Sequence, residues 1–366
     1  MIKFLMTTFA VSVFSLAAQA NDFSPARPMP SATLGDDQLV TRIAIGSCLV
    51  PTRDSTIFNK ISESGANLFM LIGDNVYAET EEDDPELKSL KSAYGMFADS
   101  KPFAALRKNM PVLVTWDDHD FGINDGGGDW PHKQASQDLY NHVWAIDEAD
   151  ERRSRDGVYY SRIVGPQGRR VQLILLDTRY FRTPLTKATN RLPDGGRYLP
   201  SGSDSQNMLG DTQWAWLEEQ LKKSADVRII ATSIQMIADG HNWEAWRLLP
   251  REQMRFYQLL TRTKANGVVL ISGDRHSAAI YRQIKHVPYP LWEVTASSLN
   301  LPLTAIVKNI KTEPGPFRIG QPYYDANFGI IDINWKTRDL ILQILDGSGR
   351  VVLAANIGID DLKAGL

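Results

Sequence analysis

The feature that most constrains this 366-residue chain is a local pattern that recurs along its length. A short, continuous, β-branched apolar run stops at a small or polar residue, and acids, a cysteine or a histidine follow at once. The runs predict strands over 41–46, 67–72, 112–115, 171–176, 228–233 and 268–272, of the kind buried on both faces in a parallel sheet. Amphipathic stretches between them predict helices over 55–64, 87–108, 132–146, 212–223 and 251–264, the fourth with Asp211 as its N-cap. The tail differs: 328–335, 340–345 and 351–355 read as antiparallel strands, the last two joined by a turn at Asp346-Gly347-Ser348-Gly349. No internal repeat or long linker interrupts the order. The expectation is one α/β domain over residues 21–366, with a partly antiparallel sheet.

The polar residues that end the runs carry the functional reading. Gly46-Ser47-Cys48 follows the first, Gly73-Asp74-Asn75-Val76-Tyr77 the second, and Trp116-Asp117-Asp118-His119-Asp120 the third. Asp177-Thr178-Arg179 follows the fourth and Gly273-Asp274-Arg275-His276 the sixth. Parallel sheets place ligand sites at the carboxyl ends of their strands, so these clusters are expected to converge at one sheet edge. Taken singly, each aspartate reads as a turn or cap residue. Together, Asp74, Asp117, Asp118, Asp120, Asp177 and Asp274 would repel one another unless cations sat among them, and hard oxygen donors suit cations.

Cys48 is the single cysteine, which excludes an intramolecular disulfide and a cysteine-rich metal cluster. Residues 1–20 read as a Sec-type signal peptide: Lys3, an apolar run over 4–16, then the cleavage pattern Ala18-Gln19-Ala20. The apolar run falls short of the roughly 20 residues that span a bilayer, so no stable membrane insertion is expected. The destination is periplasmic or extracellular, where a free exposed thiol oxidises. A buried, inert thiol is the plain alternative; a metal-held thiolate is better protected than an exposed one. Tyr77 reads as a packed aromatic or a phenolate ligand, and iron(III) would accept thiolate, phenolate and carboxylate together. Of six histidines, only His119 and His276 fall within the clusters. A formal charge of −3 lacks the basic field of a nucleic-acid binder.

In this order, the five strand-end motifs resemble those of the alkaline phosphatase D (PhoD-like) family of calcineurin-like metallophosphoesterases, over about residues 40–300. The resemblance implies a four-layer α/β/β/α sandwich with mixed sheets, and a metal centre of Fe(III) with Ca2+ that hydrolyses phosphate esters. It implies Cys48, Asp74, Tyr77 and Asp274 as iron ligands, with Asp74 bridging to a second metal. Asp118 and His276 match further metal-binding positions. His119 matches the histidine that contacts phosphate and protonates the leaving group, and Arg179 a phosphate or supporting contact. The usual Asp-x-His on the first strand is replaced by Gly46-Ser47-Cys48, which favours the iron–calcium variety over a di-zinc or di-manganese one and leaves metal identity, not metal dependence, open.

The implied function is an exported, monomeric phosphoric ester hydrolase acting on a phosphate-ester substrate by metal-activated water. The alternatives are a phosphodiesterase for lipid head groups or nucleic-acid fragments, and a homologue that binds a phospholigand without turnover. No Gly-x-Ser-x-Gly elbow supports a serine hydrolase. The acidic run 79–86 reads as a solvated loop, with a calcium contact as the sharper alternative. The glycine-rich segment 122–130 reads as a plain connection or as a flexible loop beside the site, with Asn124 and Asp125 as outer ligands. Trp243 and Trp246 read as a core pair or as a pocket lining.

Overall fold

The computed structural model describes residues 22–78 and 84–364. The proposed signal peptide, and residues 79–83 of the acidic run, lie outside the described residues. The first half contains β1 (Arg42–Gly46), α1 (Ile57–Glu63), β2 (Leu68–Ile72), α2 (Lys88–Ala98), α3 (Lys101–Asn109), β3 (Val112–Thr115), α4 (Asp118–Phe121) and α5 (Lys133–Val143). The middle holds β4 (Tyr160–Val164), β5 (Val171–Leu175), α6 (Gly210–Lys222), β6 (Val227–Ala231), α7 (Pro250–Thr263), β7 (Val268–Ser272), β8 (Ala278–Gln283) and β9 (Leu291–Ala296). A short α8 (Leu303–Ile306) leads to β10 (Arg318–Tyr323), β11 (Asn327–Asn334), β12 (Asp339–Asp346) and β13 (Val351–Gly358).

These strands form two mixed sheets, ordered β13-β12-β11-β1-β2-β3 and β10-β8-β9-β7-β6-β5-β4. Alternation along the strands builds the layers. Ile43 and Ile45 of β1, with Leu68, Met70 and Ile72 of β2, face the core shared with the second sheet. Ala44, Phe69 and Leu71 face the opposite way, onto α1, α2, α3 and α5. Trp214, Leu217 and Leu221 of α6, and Phe256 and Leu260 of α7, cover the second sheet. The result is an α/β/β/α sandwich. In the first helical layer, Phe103 stacks on Phe97 at 4.4 Å and tilts against Phe58 at 4.9 Å between ring centroids. Each such buried ring removes large apolar area from water.

Three expectations need correction. The single helix over 87–108 is two helices, because Pro102 lacks a backbone N–H and Ser100 caps the second, accepting from the Phe103 N–H. Asp211 lies inside the first turn of α6, whose N-cap is Leu209. The clusters do not meet at one sheet edge. β1, β2 and β3 run parallel in one sheet, β5, β6, β7 and β9 in the other, and the carboxyl ends of both meet. Strands β4, β8, β9 and β10 were not expected. In β9 the apolar run is broken by Glu293, a buried carboxylate that accepts from the Met236 and Ile237 N–H groups at 2.8 and 2.6 Å.

Glycines let the two sheets approach at this end. A Cβ on Gly73 would lie 2.6 Å from the Asp117 Cβ and 3.1 Å from the Ser233 Cβ, at a φ of +108°. On Gly273 it would meet the Ser47 Oγ at 2.5 Å. Gly73→Ala is therefore expected to destabilise the protein by about 1–3 kcal/mol, through overpacking and backbone strain. Denaturant unfolding measures this; unchanged stability would show that the gap between the sheets can widen at no cost.

Candidate metal centre

The turns after β1, β2 and β7 hold the candidate ligands in an unusual backbone conformation. Cys48, Asp74, Asp274 and His276 have φ values of 57°, 51°, 66° and 52°. Non-glycine residues enter this left-handed region at a cost of order 1–3 kcal/mol and cluster at functional sites. The Leu49 N–H donates to the Asp74 carbonyl at 2.8 Å, tying the first two turns together. Ser297, after β9, places its Oγ 2.9 Å from the Cys48 Sγ and accepts from the His276 N–H at 2.9 Å. Tyr77 donates to Asp74 Oδ2 at 2.7 Å, and its hydroxyl lies 3.4 Å from His276 Nε2. His276 Nδ1 lies 2.7 Å from the Leu301 carbonyl, an acceptor only, so Nδ1 bears the proton and Nε2 keeps its lone pair towards the centre.

Beside this group, Asp117, Asp118, Asp125 and Glu244 bring further carboxylates. Three sets of donor atoms each fall within 4.8 Å of one another: Cys48, Asp74 and His276; Asp74, Asp117 and Asp118; Asp118, Asp125 and Glu244. Asp74 and Asp118 are each shared by two sets, so the sets form a chain. Cys48, Asp74, Asp117 and Asp118 form the buried floor, while Tyr77, His119, Asp274 and His276 stand partly exposed at the rim.

The donor chemistry fits cations. Asp74 Oδ1, Asp117 Oδ2 and Asp274 Oδ2 are buried and accept no hydrogen bond among the described residues. Such orphans are costly unless a positive group faces them. Burial, followed by neighbouring negative charge, drives the Asp74 carboxyl well above the carboxylate range. Burial likewise pushes Asp125 up to about 7, and Asp117 up to about 7 against the pull of Arg179. It also raises the Cys48 thiol and the Tyr77 phenol. Asp118 is the exception: burial opposes its charge, but His119, Arg179 and the Asp125 N–H together hold it below the usual range.

Several residues stand elsewhere than their sequence position suggested. Arg179 is fully buried and faces Asp117 through Nε at 2.6 Å and Glu244 through Nη1 at 2.7 Å. With its guanidinium committed to two carboxylates, it is placed to hold the acids rather than to contact phosphate. Asp120 accepts from the Asp74 and Asp117 N–H groups at 3.0 and 2.7 Å, and Asp177 from Val158, Arg179 and Tyr180, each at 2.9 Å. These two aspartates shape turns. Asp274 lies at the rim, its Oδ2 3.9 Å from Arg275, and His276, also at the rim, brings a donor atom within 4.8 Å of those of Cys48 and Asp74. Trp246 is core, whereas Trp243 is partly buried under the Arg275 guanidinium. Glu244 had no motif to announce it. The only signal was a lone carboxylate between apolar neighbours, in the loop after the strand that lacked a cluster.

Proton occupancy gives a test. Without cations, the raised carboxyls keep protons in the folded state between about pH 4 and 7 that the unfolded chain releases, so stability falls as pH rises through this window. Bound cations replace those protons. Chelation is therefore expected to lower the melting temperature, by more at pH 8 than at pH 5. A gap between loaded and chelated protein that is absent or pH-independent would contradict this.

Comparison with known proteins agrees with this geometry. The family model described as PhoD-like phosphatase matches residues 50–315. No curated protein sequence matches. The structure of PhoD superposes with a TM-score of 0.66 at 16% identity, covering 91% of this chain and 70% of that one. GAP50, the anchor in the inner membrane complex of Plasmodium, gives 0.51 at 13% identity, covering 90% of each chain. Among the described residues, no helix is long and apolar enough to cross a membrane. With a family model spanning most of the chain, and donors able to hold cations gathered where the two sheets meet, the chain belongs to the PhoD-like phosphatase family and is a metal-dependent phosphoesterase.

Proposed function

We propose that this is an exported phosphoric ester hydrolase in which His119 protonates the leaving group. The observation that carries the reading is the chain of three donor sets, with His119 at the rim directly beside it. The first set mixes thiolate, imidazole and carboxylate, with the Tyr77 phenol adjoining; this suits Fe(III), with Asp274 as a further donor at the rim. The second, all carboxylate, suits Ca2+. When bound, such cations neutralise phosphate charge and activate the attacking water.

The chain's own groups supply the rest. The His119 ring lies 4.2 Å from that of Tyr77, and its backbone N–H donates to Asp118 Oδ1 at 2.9 Å, which orients the side chain on the short α4. Burial lowers the His119 pKa, which makes its imidazolium a stronger acid while reducing its share at neutral pH. Arg179 balances Asp117 and Glu244, so the carboxylates keep their positions when the centre is charged.

Two experiments test the proposal. Asp74→Ala is expected to lose both metal and turnover, and His119→Ala to keep metal but lose about 10²–10⁴-fold in kcat. That loss should be large on alkyl phosphates, whose leaving alkoxide needs a proton, and small on 4-nitrophenyl mono- or diesters. Equal losses on both would remove the acid role from His119. Protein recovered from the export compartment should begin at Asn21, contain iron and calcium, and show a visible thiolate or phenolate charge-transfer band. An uncleaved N-terminus would overturn export, and a colourless, iron-free active enzyme the iron assignment.

A further inference from the structure

A groove beside the metal centre has the opposite charge. One cavity of about 400 Å³ is lined by Lys187, Arg191 and Arg197 together with Asn124, Asp125 and Tyr198. A second, of about 330 Å³, shares Asn124, Asp125, Lys187 and Tyr198 and continues past Trp130 and Leu185, with Asp129 on its wall. Asp125 therefore belongs both to this groove and to the third donor set.

The cations sit on a loop built to face that way. Lys187 pairs with Tyr198 in an isolated antiparallel bridge, and the Ala188 N–H donates to the Arg197 carbonyl at 2.8 Å. Across the tip, the Leu192 N–H donates to the Gly196 carbonyl at 3.0 Å. Tyr198 fastens the loop to the centre by donating to Asp125 Oδ2 at 2.5 Å, while the Asp125 N–H donates to Asp118 Oδ2 at 2.8 Å. Lys187, Arg191 and Arg197 are exposed, and none has an ion-pair partner among the described residues. The acid within the loop, Asp194, is engaged by the Asn242 and Gly196 N–H groups at 2.6 and 3.1 Å. Three unpaired cations around one cavity make a local positive field, and such a field recruits anions.

From this arrangement we infer that the substrate carries a second anionic group on its alcohol portion, which the Lys187, Arg191 and Arg197 cavity receives while the scissile phosphate occupies the metal centre. The inference rests on the phosphoesterase reading for the scissile end alone. It names the substrate class as small phosphate esters with a further phosphate or carboxylate.

The test uses metal-loaded protein and α,ω-alkanediphosphonates of two to eight carbons, which cannot be hydrolysed, against alkylphosphonates of equal length. Calorimetric titration is expected to show at least one diphosphonate binding tenfold or more tightly than its monophosphonate partner, with a steeper salt dependence. The triple variant Lys187→Ala, Arg191→Ala, Arg197→Ala should lose that preference and still bind the monophosphonate normally. Its unchanged circular dichroism and melting temperature would confirm that it folds, and the single Arg197→Ala should lose part of the preference in any case. No preference at any chain length, or a preference intact in the triple variant, overturns the subsite. Hydrolysis of the matching alkyl phosphates is scored separately: preference without turnover would reject the esterase reading and leave the subsite standing.

Discussion

Like charge in a buried place is the constraint around which the rest of this molecule is arranged. Asp74, Asp117 and Asp118 share a buried floor, which buried Glu244 and partly exposed Asp125 extend. In a low dielectric these groups oppose one another's ionisation, and each must be protonated, paired or bound to a cation. The chain answers partly from within: Arg179 lies between Asp117 and Glu244, and Arg182 reaches Glu244 at 3.0 Å. Orphaned oxygens on Asp74, Asp117 and Asp274 remain for cations to face. The buried arginines and the metals thus do complementary work, the first fixing positions and the second completing the charge.

That arrangement also explains the architecture. Two sheets must end at the same place for their turns to share donors, which requires close approach at Gly73 and Gly273 and left-handed turns at Cys48, Asp74, Asp274 and His276. The strain is affordable because the surrounding sandwich is large and well packed. Ser233 shows the coupling: its Oγ donates to Asp117 Oδ1 at 2.6 Å and its carbonyl accepts from the Gly273 N–H at 2.7 Å, so one residue of the second sheet steadies turns from both.

Much of the site was legible in the linear order of residues, and the reason is local. Cys48, Asp74, Tyr77, Asp118, His119, Asp274 and His276 all follow a strand within a few positions, and a buried strand announces itself by its apolar run. Arg179 was legible as a member of the site, though its role was not, since nothing in Asp177-Thr178-Arg179 shows that Asp117 and Glu244 will flank it. Glu244 escaped because its loop follows β6 after a long irregular stretch and carries no turn or metal motif. Asp120 and Asp177 looked like donors for the converse reason: a capping aspartate and a ligand aspartate are the same residue in the same kind of turn.

What the order of residues settles here is everything carried by short-range pattern: the buried strands, the turns that end them, and the chemistry of the side chains on those turns. Periodicity and turn preference act over a few residues, so they survive in a linear reading. Folding settles which of those turns meet. The division of the strands between two sheets, the meeting of His276 with Cys48 and Asp74, the enclosure of Arg179, and the anchoring of the cationic loop by Tyr198 all join residues distant along the chain. Such contacts depend on how whole layers pack, and burial then decides which carboxylates cap a turn and which are left facing a cation.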